Sequence, residues 1–276
     1  MSFASPFESP TSKPGCGSIV LSVLPPDKPV LAKVFYQYPL KLVAPCPLPP
    51  PAQTDGSANP SLIHTVYLLT YGGGIVAGDA INLEVSLNSG TRLVLLTQGS
   101  TKIFKTLNPS MSSTQSMHVR LGHDSALVYL PDPVQPFAQT TFSQSQVYHL
   151  TKGGGSLCVC DWVTSGRSAS GEHWDIYEYR SRNEVWATEG REQARLLLRD
   201  SVVLDKHGRT DMQLASRMGE HSAFGTLIIR GPTFDSLARH FRDEFEALPR
   251  IGGREWGDVV RPELTHSERR RVERQD

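Results

Sequence analysis

Short apolar segments separated by glycine, asparagine and proline constrain the fold more than any other feature of this chain. In residues 81–87 (INLEVSL) every second residue is apolar, and this period of two is typical of a strand with one buried face. Segments of this kind predict strands over residues 18–24, 30–36, 40–44, 62–70, 81–87, 92–97, 117–121, 126–130, 144–150, 157–163, 174–180, 184–188, 195–204 and 226–230. So many short strands predict a mainly β domain.

Helical patterns are found in two places, both late in the chain. Residues 234–248 carry apolar side chains at helical spacing, and residues 211–218 predict a second, short helix. No helical pattern separates the early strands, so an alternating βαβ architecture is excluded. Mainly β structure with about two α-helices is therefore the predicted fold class.

Composition excludes several classes of function. The 28 basic residues balance the 28 acidic ones, whereas a duplex-binding domain carries a basic excess; we expect neither nucleic acid nor a membrane as partner. The first residues contain no apolar core of a secretory signal, and no apolar run reaches the roughly 20 residues that span a bilayer. A cytoplasmic location follows as the expectation, with the four cysteines reduced.

The pattern also predicts the domain organisation. Residues 1–15 read as a disordered leader, and residues 16–250 as a single β domain. Residues 45–61 are rich in proline and then polar, which predicts a surface loop. Residues 251–276 form a charged tail that we expect to be disordered.

The glycine-rich segment 71–79 (YGGGIVAGD) is the first candidate site. A phosphate-binding loop needs a lysine and a hydroxyl residue after its last glycine, but here Gly78 is followed by Asp79. Nucleotide binding is therefore disfavoured. Asp79 is placed to bind a metal or to cap backbone N–H groups, and from chemistry alone capping is the commoner role of an aspartate in a turn.

Three further polar segments are candidate sites. Residues 97–102 (TQGSTK) follow a strand and read as a polar turn. Arg167 and Glu172 flank a turn of small residues and are placed to form an ion pair. Cys158 and Cys160 point to the same side of a strand, and with the adjacent Asp161 they suggest a soft metal site, although buried, inert cysteine is commoner. The histidines show no metal-binding spacing, and no nucleophile–base set is recognisable.

Four segments together resemble the urease accessory protein UreD (UreH) family. They are residues 69–79 (LTYGGGIVAGD), residues 96–104 (LTQGSTKIF), residues 129–137 (YLPDPVQPF) and residues 166–172 (GRSASGE). They occur in the family's order, over roughly residues 18–248. The family also continues after the helix into an apolar closing strand, which the charged tail lacks.

The resemblance implies a fold, a role and a set of partners. The implied fold is a β-helix-like stack of short strands with two helices. UreD proteins resemble adaptors that bind a helical UreF-type accessory protein, which recruits a UreG-type GTPase, and the assembly docks on apo-urease. The implied complex is a hetero-oligomer with two copies of each chain. GTP chemistry belongs to the UreG-type partner, so the chain is not expected to be an enzyme.

The resemblance also suggests site residues for nickel transfer. Asp79 and Glu172 are the first candidates to line a transient Ni²⁺ path, with Thr97 and Gln98 behind them. Carboxylate and hydroxyl oxygens hold nickel weakly enough for release, and no tightly bound cofactor is expected. Two alternatives remain open: a β-solenoid hydrolase that uses Asp79 and Glu172 as paired carboxylates, and a β-rich binding module that carries no metal. The helix over residues 234–248 is one candidate for a partner-binding surface.

Overall fold

A computed structural model of the chain describes residues 13–47, 62–151, 154–189, 193–206 and 212–248. Most of the predicted leader (residues 1–15) and loop (residues 45–61), and all of the predicted tail (residues 251–276), lie outside the described residues, so these expectations stay predictions.

Strands dominate the structure, as the alternating pattern predicts. The sixteen strands are β1 (Cys16–Leu24), β2 (Lys28–Tyr36), β3 (Leu40–Val43), β4 (Ile63–Thr70), β5 (Gly74–Ile75), β6 (Ala80–Leu87), β7 (Arg92–Leu96), β8 (Thr101–Ile103), β9 (Ser113–Leu121), β10 (Ala126–Tyr129), β11 (Val134–Pro136), β12 (Thr141–Thr151), β13 (Ser156–Thr164), β14 (Glu178–Glu189), β15 (Gln193–Asp205) and β16 (Ala223–Arg230). Within the described residues, the two α-helices are α1 (Leu214–Met218) and α2 (Asp235–Ala247).

Consecutive strands wind into a β-helix-like stack. In each coil, the first strand and the short strand after it belong to one sheet, and the third strand belongs to the other sheet. The coils are β4-β5-β6 (coil 1), β7-β8-β9 (coil 2) and β10-β11-β12 (coil 3). Coil 4 has one long strand, β13, in place of the first two, followed by β14. Equivalent strands of successive coils pair in parallel. The predicted β-helix-like fold is confirmed, and the sheets do not close into a barrel.

Two sheets face each other across the stack. The first has seven strands in the order β15-β14-β12-β9-β6-β1-β2, with antiparallel pairs at both ends. The second runs β3-β4-β7-β10-β13-β11-β8-β5, and β16 pairs antiparallel with β13. The parallel register brings equivalent side chains of successive coils together; Ile19, Val85 and Val119 lie side by side in the first sheet.

The core consists of the side chains that point between the two sheets. Ile19, Val85, Leu95, Leu157 and Tyr148 are completely removed from solvent, and with their neighbours they form one continuous apolar cluster. Because alternate residues of a strand point to opposite faces, the other half of each strand forms the outer face of its sheet. The alternation of residues along each strand therefore determines which side chains lie in the core and which lie on the surface.

One strand prediction is wrong at its start. Residues 174–177 are not in a strand, and residues 178–189 form a single strand where the sequence suggested two. Trp174 has a φ of 55°, in the left-handed region. Its side chain is buried, and its indole N–H donates a hydrogen bond of 2.7 Å to the carbonyl of His221. Burial of the indole in this bend takes precedence over the strand preference of an aromatic residue.

The predicted helices are both present. α1 lies within the predicted segment 211–218, of which residue 211 lies outside the described part, and α2 lies within the predicted segment 234–248. The chain divides into two compact units, Met1–Ala238 and Arg239–Asp276. Among the described residues, no helix is long and apolar enough to cross a bilayer.

Candidate functional site

The four segments that carry the resemblance to the UreD family lie along one edge of the stack. Residues 69–79 contain β5, residues 96–104 contain β8, residues 129–137 contain β11, and residues 166–172 follow β13. β5 pairs with β8, β8 with β11, and β11 with the end of β13, all in parallel. Segments about 30 residues apart in sequence therefore become neighbours, each one strand spacing, about 4.8 Å, from the next.

The first coil supplies a tight corner. Asp79 is half-buried, and its carboxylate accepts a hydrogen bond of 3.1 Å from the backbone N–H of Val76. This confirms that Asp79 caps the turn, as its chemistry suggests. Gly74 is required at the start of the corner, because a β-carbon there would lie 2.6 Å from both the Lys102 carbonyl oxygen and the Phe104 ring.

An aromatic stack connects the next corners. The rings of Phe104 and Phe137 meet edge to face with their centres 5.3 Å apart. The guanidinium carbon of Arg167 lies 4.0 Å from the centre of the Phe137 ring, within the range of a cation–π interaction. The aromatic residues of two segments thus support the arginine of a third.

Arg167 in turn holds Glu172. Its side chain donates two hydrogen bonds to the two carboxylate oxygens, one of them 3.0 Å long, and its backbone N–H donates a third at 3.2 Å. The predicted ion pair is confirmed. The side-chain hydrogen bonds from Arg167 lower the pKa of Glu172, against the opposing effect of burial. Glu172 is therefore held as a carboxylate with a fixed orientation.

Thr97 and Gln98 lie at the opposite end of the short strands. Thr97 is buried; its hydroxyl accepts a hydrogen bond of 2.7 Å from the backbone N–H of Asp132. The Asp132 carboxylate accepts one of 2.7 Å from the Gly99 N–H. Gln98 is exposed and, with Thr97 and neighbouring residues, lines a surface pocket of about 40 Å³. The sequence predicts Thr97 but not Asp132 as a site residue, because the two are 35 residues apart.

The structure does not bring Asp79 and Glu172 together. Asp79 follows β5 in coil 1, whereas Glu172 follows β13 in coil 4, which separates the two strands by three strand spacings, about 14 Å. A pair of hydrolytic carboxylates needs a separation of about 5–10 Å across an open cleft. Since Arg167 also occupies the Glu172 carboxylate, the hydrolase alternative loses its geometric basis.

The structure favours buried, inert cysteine over a soft metal site at Cys158, Cys160 and Asp161. Both cysteines lie on the outer face of β13, while Asp161 points into the core, because neighbouring residues of a strand face opposite sides. Burial raises the pKa of both thiols. Among the described residues, no group of three or more histidine, cysteine or acidic side chains is arranged to hold a metal.

Asp161 is the centre of a buried polar cluster that sequence reasoning missed. Its carboxylate accepts hydrogen bonds from the amides of Gln144 and Asn183 (2.7 Å for Asn183) and from the hydroxyl of Ser181. Tyr179 also contacts Gln144, and burial, followed by the Asp161 charge, raises the Tyr179 pKa well above its usual range. The available signal was the alternation of residues 157–163, which places one aspartate among inward-facing apolar residues.

The fold and these contacts define a β-helical protein whose polar corners are stacked along one edge and are supported by an internal network of hydrogen bonds. The sequence matches the UreD urease accessory protein family over residues 16–264. The chain belongs to this family of urease accessory proteins.

Individual relatives agree with the family match. The chain is 35% identical over 214 residues to urease accessory protein D of Arabidopsis thaliana, covering 78% of this chain and 67% of that protein. It is 34% identical over 236 residues to urease accessory protein 4 of Cryptococcus neoformans, covering 76% and 68% respectively. It is 34% identical over 227 residues to UreD of Sorangium cellulosum, covering 82% and 64%. The matched region thus spans about two thirds of each relative.

Proposed function

We propose that this chain is a scaffold in urease maturation and takes part in delivering nickel to apo-urease. The observation that carries the proposal is the meeting of the four family segments along one edge of the stack, although they are distant in sequence. Such an edge presents oxygen ligands and backbone groups in a fixed arrangement, as a site that guides an ion or a partner requires.

The proposed partners follow from the family. A helical UreF-type accessory protein binds this chain, a UreG-type GTPase is recruited through it, and the assembly contains two copies of each chain and docks on apo-urease. GTP hydrolysis belongs to the UreG-type protein, and we assign no catalytic step to this chain. The proposed location of the complex is the cytoplasm.

Nickel is treated as cargo that passes along the edge rather than as a resident cofactor. The carboxylates of Asp79 and Glu172, the hydroxyl of Thr97 and the amide oxygen of Gln98 are the proposed contacts. All four are oxygen donors, which bind nickel less tightly than thiolates do.

Co-expression with the UreF-type protein of the same organism tests the scaffold role. We expect a stable complex in size-exclusion chromatography with light scattering, with a mass that corresponds to two copies of each chain. A soluble chain that elutes alone in the presence of the partner contradicts the proposal.

Charge-neutral variants test the nickel path separately. Asp79→Asn retains an oxygen that can cap the Val76 N–H, and Glu172→Gln retains the size of the side chain. We expect the double variant to bind the partner normally and to lower the nickel content of activated urease, measured by atomic absorption. Glu84→Gln, on the outer face of the first sheet, is the matched control. Equal loss of partner binding would assign both residues a structural role.

A metal-free binding module is the second candidate function, and one observation favours it. Both first-choice carboxylates already have protein partners, since Asp79 caps a turn and Glu172 is held by Arg167. On this alternative the edge serves only to shape a protein-binding surface. Normal nickel transfer by the Asp79→Asn, Glu172→Gln double variant would support it.

A further inference from the structure

The two edges of the first sheet differ in their protection against pairing with another chain. β2 forms one edge and β15 the other; within the described part of the chain, β2 pairs only with β1, and β15 only with β14. The outer side of an edge strand leaves backbone N–H and C=O groups without a ladder partner, and folded proteins usually protect such edges with lysine, proline or a bulge. An edge without this protection is a candidate interaction surface.

β2 has all three kinds of protection. It contains Lys28, Pro29 and Lys33, and Ala32 is an extra residue in its pairing with β1, between Leu31 and Lys33. Proline has no backbone N–H to donate, and a bulge bends the strand and interrupts the ladder. This edge therefore does not present a regular ladder to a further strand.

β15 presents a regular edge over residues 198–205. Its one bulge, at Leu197, lies before this segment, and every residue from 198 to 205 pairs with β14 in unbroken register. The segment contains no lysine and no proline. Leu198 and Val203 are apolar but 40% and 49% exposed. A regular, exposed edge with apolar side chains is the kind of edge that another strand extends.

The symmetry of a pair of identical strands restricts how two copies of β15 can meet. In an antiparallel pair about a two-fold axis normal to the sheet, only residues on the same face of the sheet come opposite each other, because alternate residues face opposite sides. The axis must therefore pass through a residue rather than between two. Arg199 and Asp205 lie on the same, outer face, whereas Asp200 lies on the inner face beside Asn183.

The charges of β15 favour one position of the axis. An axis at Arg199 or at Asp200 places like charges directly opposite each other, which is destabilising. An axis at Ser201 places both of these residues opposite valines of the second copy. An axis at Val202 places Arg199 of each copy opposite Asp205 of the other, so that two pairs of opposite charge form, and Val202 faces its own copy. An axis farther along the strand shortens the paired segment.

We propose that two copies of this chain pair through β15, antiparallel and about a two-fold axis at Val202, so that the first sheet continues from one copy into the other. A second copy is the occupant because residues 199–205 are complementary to themselves in this register, and one contact covers both exposed edges. The inference goes beyond the proposed function and does not depend on it, since it concerns only the contact of the chain with itself.

The mass of the full chain, measured alone by light scattering and sedimentation over a range of concentrations, tests the pairing. We expect a reversible dimer. Val203→Lys places a lysine at an exposed position of the β15 edge, and we expect it to raise the Kd of the dimer by about tenfold or more. Ala32→Lys, at an exposed position of β2, is the matched control that leaves the Kd unchanged. Circular dichroism of each variant checks that the fold is retained.

Disulfide formation tests the register. Residues directly opposite each other in an antiparallel pair have their α-carbons about 4.5–5.5 Å apart, within the range that a disulfide spans. In a chain whose exposed cysteine is replaced (Cys46→Ser), we expect Val202→Cys to form a covalent dimer under mild oxidation. Ser201→Cys is the control, because its two copies lie diagonally across the axis, about 7–8 Å apart, and we expect it to remain largely uncrosslinked.

Each contrary outcome overturns the inference and leaves the scaffold role intact. A monomer at every concentration removes the pairing itself. A dimer that tolerates Val203→Lys uses another surface, and a dimer that Ser201→Cys but not Val202→Cys crosslinks has another register. Protection of the β15 amides from hydrogen exchange that appears only after the UreF-type protein or apo-urease is added assigns the edge to that protein. Failure of the chain to bind the UreF-type protein, by contrast, overturns the scaffold role without affecting this inference.

Discussion

Arg167 stacks on Phe137, with the guanidinium carbon 4.0 Å from the ring centre, and from this position it donates two hydrogen bonds to Glu172. Three residues from two neighbouring coils thus form one unit. Glu172 is oriented through Arg167, and Arg167 through the ring beneath it. The orientation of this carboxylate consequently depends, through Arg167, on the aromatic side chain of Phe137.

Replacement of Arg167 by alanine should weaken the acid sensitivity of the fold. The pKa of Glu172 is lowered in the folded chain, so its contribution to stability is present above the unfolded value, about 4.3, and is lost as the pH falls through the lower folded value. In Arg167→Ala the folded pKa rises, and less stability is lost between about pH 5 and pH 3.

Urea unfolding at several pH values measures this change. Lys206→Ala is the control, because the Lys206–Asp175 pair is 3.4 Å apart and both side chains are exposed, so its removal should leave the pH dependence unchanged. An Arg167→Ala variant that loses stability in acid as steeply as the wild-type chain would show that the ion pair does not control Glu172.

Alanine substitutions at two glycines of the same corner distinguish the cost of steric crowding from the cost of an unfavourable backbone conformation. Gly166 has a φ of 124°, and a β-carbon there would lie 3.1 Å from the β-carbon of Glu172, whereas Gly171 has a φ of 76° and open space around it. Gly171→Ala should cost about 1–2 kcal/mol from backbone conformation alone. Gly166→Ala should cost about 2–5 kcal/mol, because crowding adds to strain. Thermal unfolding of both variants measures the two losses of stability. Equal losses would show that crowding by a β-carbon at residue 166 adds nothing to the backbone strain.

Most strands could be predicted from sequence because their signal is local. The alternation in residues 81–87 is the burial pattern of β6 itself, and the helical spacing in residues 234–248 likewise reports on α2 alone. Trp174 shows the limit of local reasoning. Its aromatic side chain favours a strand, but burial against the residues around His221 holds it in a left-handed bend.

The site could be predicted only in part because its contacts connect distant segments. The ion pair of Arg167 and Glu172 spans five residues and was predicted, whereas the support from Phe137 depends on the pairing of whole coils. Asp132 was missed for the same reason, since its contact with Thr97 spans 35 residues. The cluster around Asp161 requires knowledge of which face of β13 is buried.

Substitutions at Asp79 should distinguish its cap from its charge. Asp79→Ala removes the acceptor for the Val76 N–H and should cost about 0.5–1.5 kcal/mol of stability, the usual net value of a hydrogen bond. Asp79→Asn keeps an acceptor oxygen and should cost less. Chemical denaturation of the two variants tests this order; an asparagine variant as unstable as the alanine variant would indicate that the negative charge itself stabilises the corner.

The buried cluster allows a final prediction about the interior of the stack. Asn183 is completely buried and donates a 2.7 Å hydrogen bond to Asp161. Asn183→Ala removes one of the donors to a carboxylate that water cannot reach freely, and it should cost about 1–3 kcal/mol. Ser145→Ala, on the outer face of the neighbouring strand β12, should change the stability by less than about 0.5 kcal/mol.

A double-mutant cycle shows whether the carboxylate is the reason for that cost. In an Asp161→Asn background the charge that needs the donor is absent, so Asn183→Ala should destabilise the chain less than it does in the wild type. The expected coupling lies between about 0.5 and 3 kcal/mol, the range found for residues of one hydrogen-bond network. Strictly additive effects in urea unfolding would mean that Asn183 stabilises the core by packing alone, and that the donors around Asp161 do not act as a unit.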